Sequence, residues 1–281
     1  MNRRTDPQGL AFLKMHGLGN DFVILDSRGR SAVTTPDLAA QIGDRHFGVG
    51  FDQLAEIRDH PGDAADITLD FWNNDGTRAG ACGNATRCVA SLIMSERGQQ
   101  TLRLATSHGV LEAQMLADGQ VRVNMGPALR TAADIPLRPG TDPDHLPLAG
   151  DPIAIGMGNP HCVFFVEDAD AIDLSVIGPE IEHNSLFPER TNVEFVSRRP
   201  DGALRFRVWE RGAGITLACG SGACAAAVAA QARDLVSGAV LMHLDGGILE
   251  IDPQPEGVWM TGPVSKVFSG WLDPEMLGVS R

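Results

Sequence analysis

Hydrophobic and polar residues alternate with a period of two along many short segments of this chain. In residues 66–71 every second residue is apolar, and the same alternation returns in residues 204–208. A period of two is typical of β-strands with one buried face. Similar short apolar segments recur through both halves, separated by Gly, Pro, Asn and Asp. The pattern predicts a chain built mainly of short strands.

Two segments depart from this pattern and have helical character. They read ATRCVASLIMSER, which ends at Gly98, and GACAAAVAAQARDL in the second half. A polar residue, Asn84 or Ser221, precedes each and is a candidate N-cap. A helix that is apolar on all faces is buried on all sides. We therefore expect many strands wrapped around one buried helix, twice over, with a surface helix in PDLAAQIGDRHFG.

The two halves of the chain repeat one another. FWNNDGTRAGACGN (71–84) aligns without a gap with VWERGAGITLACGS (208–221) and places Cys82 on Cys219, an offset of 219 − 82 = 137. Asn20 and Asn159 (159 − 20 = 139) and Gln53 and Asn192 (192 − 53 = 139) keep nearly the same register. The same sequence repeat would arise from two similar domains whose matched residues only maintain a common fold. The functional interpretation is a pseudo-symmetric pair that presents two thiols to one ligand.

The repeat also predicts where the domains divide. The first domain is expected to span residues 1–127, completed by the C-terminal tail 265–281, and the second domain residues 128–264. The stretch 127–152 is rich in Pro, Asp and Gly and has no sustained apolar period. It is typical of a connector between repeats.

Composition narrows the possible partners and compartments. The 281 residues carry a formal net charge of −13, which argues against nucleic acid or an anionic membrane as partner. No apolar run of 18 residues and no signal peptide is present, so a cytoplasmic protein is expected. The five cysteines are odd in number and too dispersed for a disulfide framework or a structural zinc site. We expect free thiols and no metal.

Cys82 and Cys219 are the candidate catalytic residues. A cysteine at a helix N-terminus faces the positive end of the helix dipole, which lowers the thiol pKa and favours a thiolate base. Two such helix ends could also hold a carboxylate between the thiols and stabilise charge that develops on it. One thiolate removing an α-proton and one thiol returning a proton to the opposite face would invert a stereocentre without a cofactor. Cys88, Cys162 and Cys224 are expected to be packing residues.

Polar residues outside the two cysteine segments are further candidates. Asn20 and Asn159 each follow a Gly-x-Gly and fit either a left-handed turn or a ligand contact. His161 is a candidate to tune a thiol. The adjacent Glu210 and Arg211 are compatible with a surface ion pair, or with Arg211 binding a carboxylate in bidentate fashion.

Several motifs in order resemble those of the diaminopimelate epimerases: KMHGLGNDF, FWNNDG, ACGNATRC, GMGNPHCV, ERTNVEF and WERGAGITLACGSGAC. The resemblance implies an α+β fold of two pseudo-symmetric domains, each a β-barrel-like sheet wrapped around a central helix, with the active site in the cleft between them. It further implies cofactor-independent interconversion of LL- and meso-diaminopimelate, in lysine and peptidoglycan precursor biosynthesis. A homodimer is the usual assembly of such enzymes.

The same resemblance assigns residue roles. Cys82 and Cys219 correspond to the acid/base pair, and His161 and Glu210 to groups that assist them. The residues expected to bind substrate are Asn20, Gln53, Asn73, Gly83, Asn84, Asn159, Asn192, Arg211, Gly220 and Ser221. Ala85, Thr86 and Ile215 depart from the common family pattern and leave room for a different amino-acid substrate.

Three other functions remain open from the sequence. A related cofactor-independent racemase of the proline, hydroxyproline or histidine type would share the architecture. Glu210, Arg211 and the surplus of side-chain amides favour a substrate with a second amino-acid head group over proline. A thiol-disulfide protein would be expected to carry a local Cys-x-x-Cys, which is absent. A non-catalytic amino-acid-binding module would not need two thiols.

Overall fold

The computed structural model describes residues 9–80 and 82–277. Its strands, in chain order, are β1 (Leu10–Gly17), β2 (Asn20–Asp26), β3 (Gln53–Arg58), β4 (Ile67–Asn73), β5 (Arg78–Ala79), β6 (Thr101–Thr106), β7 (Gly109–Met115), β8 (Val121–Asn124), β9 (Ile153–Gly156), β10 (Pro160–Phe165), β11 (Asn192–Arg198), β12 (Leu204–Glu210), β13 (Gly214–Ile215), β14 (Val240–Leu244), β15 (Gly247–Gln254), β16 (Gly257–Gly262) and β17 (Ser265–Leu272). The helices are α1 (Pro36–Gly43), α2 (Gly83–Arg97), α3 (Leu174–Glu182) and α4 (Gly220–Ala232), with 3-10 turns at Ala169–Ala171 and Pro274–Leu277.

Spatial contacts divide the chain into two compact units. Within the described residues, unit 1 comprises 9–17, 21–80, 82–116 and 264–277, and unit 2 comprises 18–20 and 117–263. The outer ends of the predicted first domain, residues 1–8 and 278–281, lie outside the described residues. The boundary between residues 127 and 128 concerns the sequence repeat and stays a prediction.

Both units contain the same order of strand pairings. In unit 1, β2 and β3 are parallel, β3 and β4 antiparallel, β4 and β6 parallel, and β6 and β7 antiparallel. In unit 2, the pairs β10–β11, β11–β12, β12–β14 and β14–β15 repeat that sequence of directions. Unit 1 adds β17 beside β1, and unit 2 adds β8 beside β16. The duplication seen in the sequence is therefore a duplication of topology.

A buried helix lies at the centre of each sheet, as the apolar helical segments predict. In α4 nine of the 13 residues are buried, among them Ala223 and Ala230, because small side chains let strands approach from every side. In α2 all residues from Gly83 to Ala90 are buried, as are Ile93 and Met94, and the C-cap Gly98 has the left-handed conformation with φ of 65°. The predicted α+β class with barrel-like sheets around central helices is confirmed.

A second helix covers the other face of each sheet. Helix α1 packs Leu38 and Ile42 against Val23 and Leu54 of unit 1. Helix α3 packs against the corresponding face of unit 2 through a core that includes Phe195. The N-caps of these helices, Thr35 and Asp173, are separated by 173 − 35 = 138 residues, so the outer layer repeats as well.

Three features differ from the sequence expectations. Helix α3 was not predicted because Pro179 lies inside it, and proline normally disfavours a helix interior. Strand β17 was not predicted because most of its residues are exposed and it lacks clear alternation. The stretch 127–152 is irregular, as expected of a connector, yet it contributes Ile135, Leu137 and Leu146 to the core beneath α3.

Candidate active site

Cys82 and Cys219 are the N-cap residues of the two central helices. Cys82 Sγ accepts a hydrogen bond from the Ala85 amide at 3.5 Å, and Cys219 Sγ accepts one from the Gly222 amide at 3.4 Å. The predicted caps, Asn84 and Ser221, are wrong by two residues, because each sulfur takes the capping role itself. Both cysteines have extended backbone dihedrals, as an N-cap requires.

The four residues expected to bind a carboxylate lie in the first turns of these helices. Gly83 and Asn84 are the first residues of α2, and Gly220 and Ser221 are the first residues of α4. The amides of a first turn point towards the positive end of the helix dipole and are a common site for anions. Each cysteine therefore has, beside its sulfur, backbone groups suited to a carboxylate.

The electrostatic environment of Cys219 differs from the expectation. Its side chain is only 6% exposed, and burial raises the pKa of the thiol well above its ordinary value. The negative charges of Glu210 and Glu194 raise this pKa further, while the Gly222 amide and the Ser221 hydroxyl lower it. The prediction of a pKa lowered towards neutrality is wrong for Cys219, since desolvation and two carboxylates outweigh the helix end.

The remaining cysteines are packing residues, as predicted. Cys88, Cys162 and Cys224 are fully buried, and all five cysteines are free thiols. Burial raises the pKa of Cys88 to about 12 and that of Cys162 well above its ordinary value. Thiols in such surroundings stay protonated and unreactive.

His161 belongs to a buried hydrogen-bonded trio in unit 2. Its Nδ1 lies 2.6 Å from Glu194 Oε1, and its Nε2 lies 2.8 Å from Asn159 Oδ1. The side chains of His161 and Glu194 have no exposed surface. Burial raises the pKa of Glu194, and His161 opposes that rise. Glu194 was not among the predicted residues, although one signal was available: it is the only charged residue among the buried positions of β11.

Asn192 connects two strand ends that carry predicted site residues. Its Nδ2 donates to the Pro160 carbonyl at 2.9 Å, and its Oδ1 accepts from the Arg211 amide at 2.9 Å. The side chain is almost fully buried. Asn192 therefore fixes the start of β10 relative to the corner that follows β12.

The corner after β12 carries Glu210 and Arg211 and is held by a second buried carboxylate. Glu182, at the end of α3, accepts hydrogen bonds from the Gly212 amide at 2.9 Å and from Trp209 Nε1 at 2.7 Å. Glu210 itself accepts a hydrogen bond from the Thr216 hydroxyl. The sequence did not indicate Glu182, because the helix on which it lies was not predicted.

The guanidinium of Arg211 is not part of the surface ion pair considered from the sequence. Its Nη1 donates to the Glu189 carbonyl at 3.0 Å. Among the residues whose side chains are described, no carboxylate oxygen lies within the 4.0 Å that defines an ion pair with this guanidinium. A cation without a carboxylate partner among the described side chains is suited to bind a carboxylate of a ligand.

The predicted residues of the first sequence repeat, Asn20 of unit 2 and Gln53 and Asn73 of unit 1, lie at strand ends. Asn20 begins β2, Gln53 begins β3, and Asn73 ends β4, where Gln53 and Asn73 are cross-strand neighbours. Asn73 Nδ2 donates to Thr77 Oγ1 at 3.0 Å. Gln53 Oε1 is buried and has no hydrogen-bond partner within the described part of the chain. In the repeat Gln53 corresponds to Asn192, another amide, whereas Asn73 corresponds to the carboxylate Glu210 (210 − 73 = 137).

The departures from the family pattern are accommodated without disturbing the cysteines. Ala85 and Thr86 are fully buried in the first part of α2, and the Thr86 hydroxyl donates to the Cys82 carbonyl at 2.9 Å. Ile215 is 48% exposed. Within residues 9–80 and 82–277, no cluster of three metal-binding side chains is found, and no helix is long and apolar enough to cross a bilayer.

Comparisons with known proteins agree on one family. The family model described as "Diaminopimelate epimerase" matches residues 12–131 and 153–267. A diaminopimelate epimerase of Rhodospirillum centenum is 48% identical over 271 residues, covering 95% of this chain and 93% of the relative. One from Acidiphilium cryptum is 47% identical over 271 residues, covering 95% and 97%.

Solved structures resemble the fold at much lower identity. A probable proline racemase of Agrobacterium radiobacter, solved with bound carbonate, aligns with a TM-score of 0.69 at 14% identity and covers 94% of each chain. A hydroxyproline epimerase of Agrobacterium vitis, solved with trans-4-hydroxy-L-proline, also aligns at 0.69 and 14%, covering 94% of this chain and 91% of that one. At this identity the likeness indicates the fold alone.

Substituting Gly222 tests how tightly the Cys219 environment is packed. A Cβ at this position would lie 2.9 Å from Glu194 Oε1, 3.1 Å from Phe206 Cζ and 3.3 Å from Cys219 Sγ. We expect Gly222→Ala to lower the free energy of unfolding by about 1–3 kcal/mol, measured by urea denaturation, because buried neighbours must move.

The control for this prediction is a double-mutant cycle. Glu194→Ala removes the atom nearest to the added methyl group, so part of the loss should be recovered when both substitutions are combined. Strictly additive losses would contradict the crowding by Glu194.

Proposed function

The chain belongs to the diaminopimelate epimerase family, and from that premise we propose that it is an isomerase that interconverts LL- and meso-diaminopimelate, with Cys82 and Cys219 as its two acid/base groups. The observation that carries the proposal is the matched placement of the two sulfurs. Each caps the buried helix of its own unit, and the two positions are equivalent in the repeat. A reaction that inverts one carbon needs two near-equivalent groups, one for each face.

The proposed reaction moves one proton off and one proton onto the same α-carbon. A cysteine thiolate takes the α-proton, and the electron pair of the broken C–H bond is delocalised onto the adjacent carboxylate. The thiol of the other cysteine then donates its proton to the opposite face, which inverts the centre and leaves the two cysteines with exchanged protonation states. The reverse reaction uses the same groups in exchanged roles.

Stabilisation of the developing charge is assigned to backbone amides. The first-turn amides of Gly83, Asn84, Gly220 and Ser221 are proposed to bind the reacting carboxylate, where the helix dipoles favour negative charge. Hydrogen-bond donors aimed at charge that develops in the transition state are a large contribution to catalysis of this kind. The chemistry is complete with two thiols and these amides, so the proposal includes neither cofactor nor metal.

The remaining predicted residues are assigned to substrate binding and to support of the thiols. Asn20, Gln53, Asn73 and Asn159 are proposed to bind the amino and carboxylate groups of the substrate. His161 and Glu210 are proposed to assist the thiols. Asn192 is proposed to act through the Arg211 amide that it holds, since its own amide already bonds two backbone groups.

Arg211 is the residue that favours diaminopimelate over proline-type substrates. Its guanidinium has no carboxylate partner among the described side chains, and a substrate with a second amino-acid head group would supply one. Proline and hydroxyproline have no such group. The wider biological setting that we propose is lysine and peptidoglycan precursor biosynthesis in the cytoplasm, by a homodimer.

The two cysteines can be separated by the stereochemistry that each serves. Cys82→Ser and Cys219→Ser should each abolish epimerisation, because a serine hydroxyl is too weak a base near neutral pH to replace a thiolate. Each variant should still eliminate halide from a β-halogenated diaminopimelate whose α-proton faces its remaining cysteine. The measurement is halide release from the two isomers of the analogue, and the variants should prefer opposite isomers.

Matched controls for the cysteine variants are Cys88→Ala and Cys224→Ala. Both remove a buried packing thiol one or two turns further along the same helices, so epimerisation should persist while stability falls. A shared preference of both serine variants for one isomer would contradict the assignment of one face to each thiol.

Arg211→Ala should lower kcat/KM for diaminopimelate by one to several powers of ten, since loss of a buried charged contact typically costs about 2–5 kcal/mol. Arg211→Lys should restore little of the loss, because an ammonium group cannot form the two parallel hydrogen bonds of a guanidinium. Steady-state kinetics with LL-diaminopimelate gives the comparison. Near-normal kcat/KM for Arg211→Ala would remove Arg211 from the site.

A further inference from the structure

The internal repeat offers a comparison for the buried pair His161 and Glu194. In both units the first strand of the parallel pair lies in the same register with the second: His161 is opposite Asn192, and Phe22 is opposite Gln53. The position equivalent to His161 is therefore Phe22 (161 − 22 = 139). The position equivalent to Glu194 is Ala55 (194 − 55 = 139).

Unit 1 forms the same strand pairing with an apolar pair in these places. Phe22 and Ala55 are both fully buried, as are His161 and Glu194. Burying an imidazole and a carboxylate costs free energy of desolvation that an apolar pair does not. Because the fold is built in unit 1 without the polar pair, its presence in unit 2 calls for a functional explanation.

The hydrogen-bond geometry defines how many protons the pair holds. Both ring nitrogens of His161 face oxygen, Nδ1 at Glu194 and Nε2 at Asn159. With the Asn159 amide placed so that its oxygen faces Nε2, Nε2 is the donor, and a second hydrogen lies between Nδ1 and Oε1. The pair of His161 and Glu194 is consequently neutral as a whole, whether the second proton rests on nitrogen or on oxygen.

This neutral pair lies next to Cys219. A Cβ built on Gly222 would lie within 3.3 Å of both Glu194 Oε1 and Cys219 Sγ. The carboxylate and the sulfur are therefore both close to the same residue of α4. The equivalent residue of α2 is Ala85 (222 − 85 = 137), and no carboxylate stands at the matching position Ala55. Among the described residues, other titratable groups that interact with Glu194 or Cys219 include His161 and Cys162 of β10 and Glu210 of β12.

We propose that Glu194 is a positioning residue for the epimerisation: it holds His161 in one orientation through Nδ1 and places a shared, movable proton beside Cys219. The inference rests on the proposed function. When Cys219 becomes a thiolate, the shared proton can move from Nδ1 of His161 to Oε1 of Glu194. That shift removes the negative charge of Glu194, which lies close to Sγ, while the pair remains neutral. The thiol of unit 1 has no such pair at the equivalent positions.

The first experiment measures the thiols without substrate. Site-resolved alkylation by iodoacetamide, followed by mass spectrometry, gives separate rates for Cys219 and Cys82 at about pH 8. In Glu194→Gln both the carboxylate charge and the shared proton are absent, and of the two members of the pair it is Glu194 whose charge raises the pKa of Cys219. We expect the Cys219 rate to rise by about threefold or more, because a mostly protonated thiol gains thiolate as its pKa falls. The Cys82 rate should stay as in the wild type.

The second experiment measures turnover in the same proteins. Glu194→Gln should lower kcat on the order of ten- to a hundredfold, as loss of a group that orients a functional imidazole typically does, with a smaller change in KM. The matched control is Glu56→Gln. Glu56 is a carboxylate of unit 1, 1% exposed, that accepts hydrogen bonds from Ser27 and the Val33 amide. Its loss should affect stability and leave the Cys219 rate and kcat near wild type.

A second variant covers the case in which Glu194→Gln does not fold. The double substitution His161→Phe and Glu194→Ala copies the pair that unit 1 already folds with. We expect this protein to fold, to alkylate faster at Cys219, and to have a reduced kcat. Unchanged Cys219 alkylation together with wild-type kcat in the folded variants would overturn the role of Glu194.

The outcomes also distinguish the inference from the proposed function. A wild-type enzyme that epimerises diaminopimelate, with Glu194 variants that match it in both readouts, rejects only the inference. A wild-type protein that does not epimerise diaminopimelate, with an alkylation rate at Cys219 that still responds to Glu194, rejects the proposed function and supports the coupling of Glu194 to Cys219.

Discussion

The capping of each central helix by a cysteine sulfur is the interaction on which the candidate site depends. A helix must leave its first amides without internal acceptors, and at α2 and α4 one of these amides donates to Sγ of Cys82 or Cys219. The same hydrogen bond that begins the helix therefore fixes the sulfur beside the amides of the first turn. The arrangement that caps the helix is therefore also the one that the proposed reaction requires, and it occurs once in each repeat.

The two copies of this geometry have diverged in their surroundings. Unit 2 places Glu194 and Glu210 near Cys219, with His161 hydrogen-bonded to Glu194. In unit 1 the positions equivalent to His161, Glu194 and Glu210 are Phe22, Ala55 and Asn73 (210 − 73 = 137). A two-base reaction needs opposite faces, but the two thiols need not have equal pKa values. Burial and carboxylates raise the pKa of Cys219, and this effect comes from the packing of unit 2.

Local sequence signals predicted the central helices and most strands, because alternation, small apolar residues and Gly98 act within a few residues. They did not predict the elements whose formation depends on contacts with residues distant in sequence. Helix α3 forms despite Pro179, and β17 pairs with β1 without an apolar pattern of its own. The pKa of Cys219 depends on burial by residues distant in sequence. The sequence did not identify Glu182 and Glu194 as site residues. The residues around a single carboxylate do not show which backbone amide or imidazole ring it will contact in the folded protein.

The most direct test of the two-thiol reaction follows the α-hydrogen in deuterated water. LL-diaminopimelate is incubated with the enzyme in D2O, and both isomers are analysed at low conversion by mass spectrometry and NMR. With separate bases on the two faces, the meso product should carry solvent deuterium at the inverted carbon from the first turnovers, while unreacted LL substrate keeps its hydrogen. Product that retains the substrate's own hydrogen, or substrate that exchanges faster than product forms, would contradict a reaction by two opposed thiols.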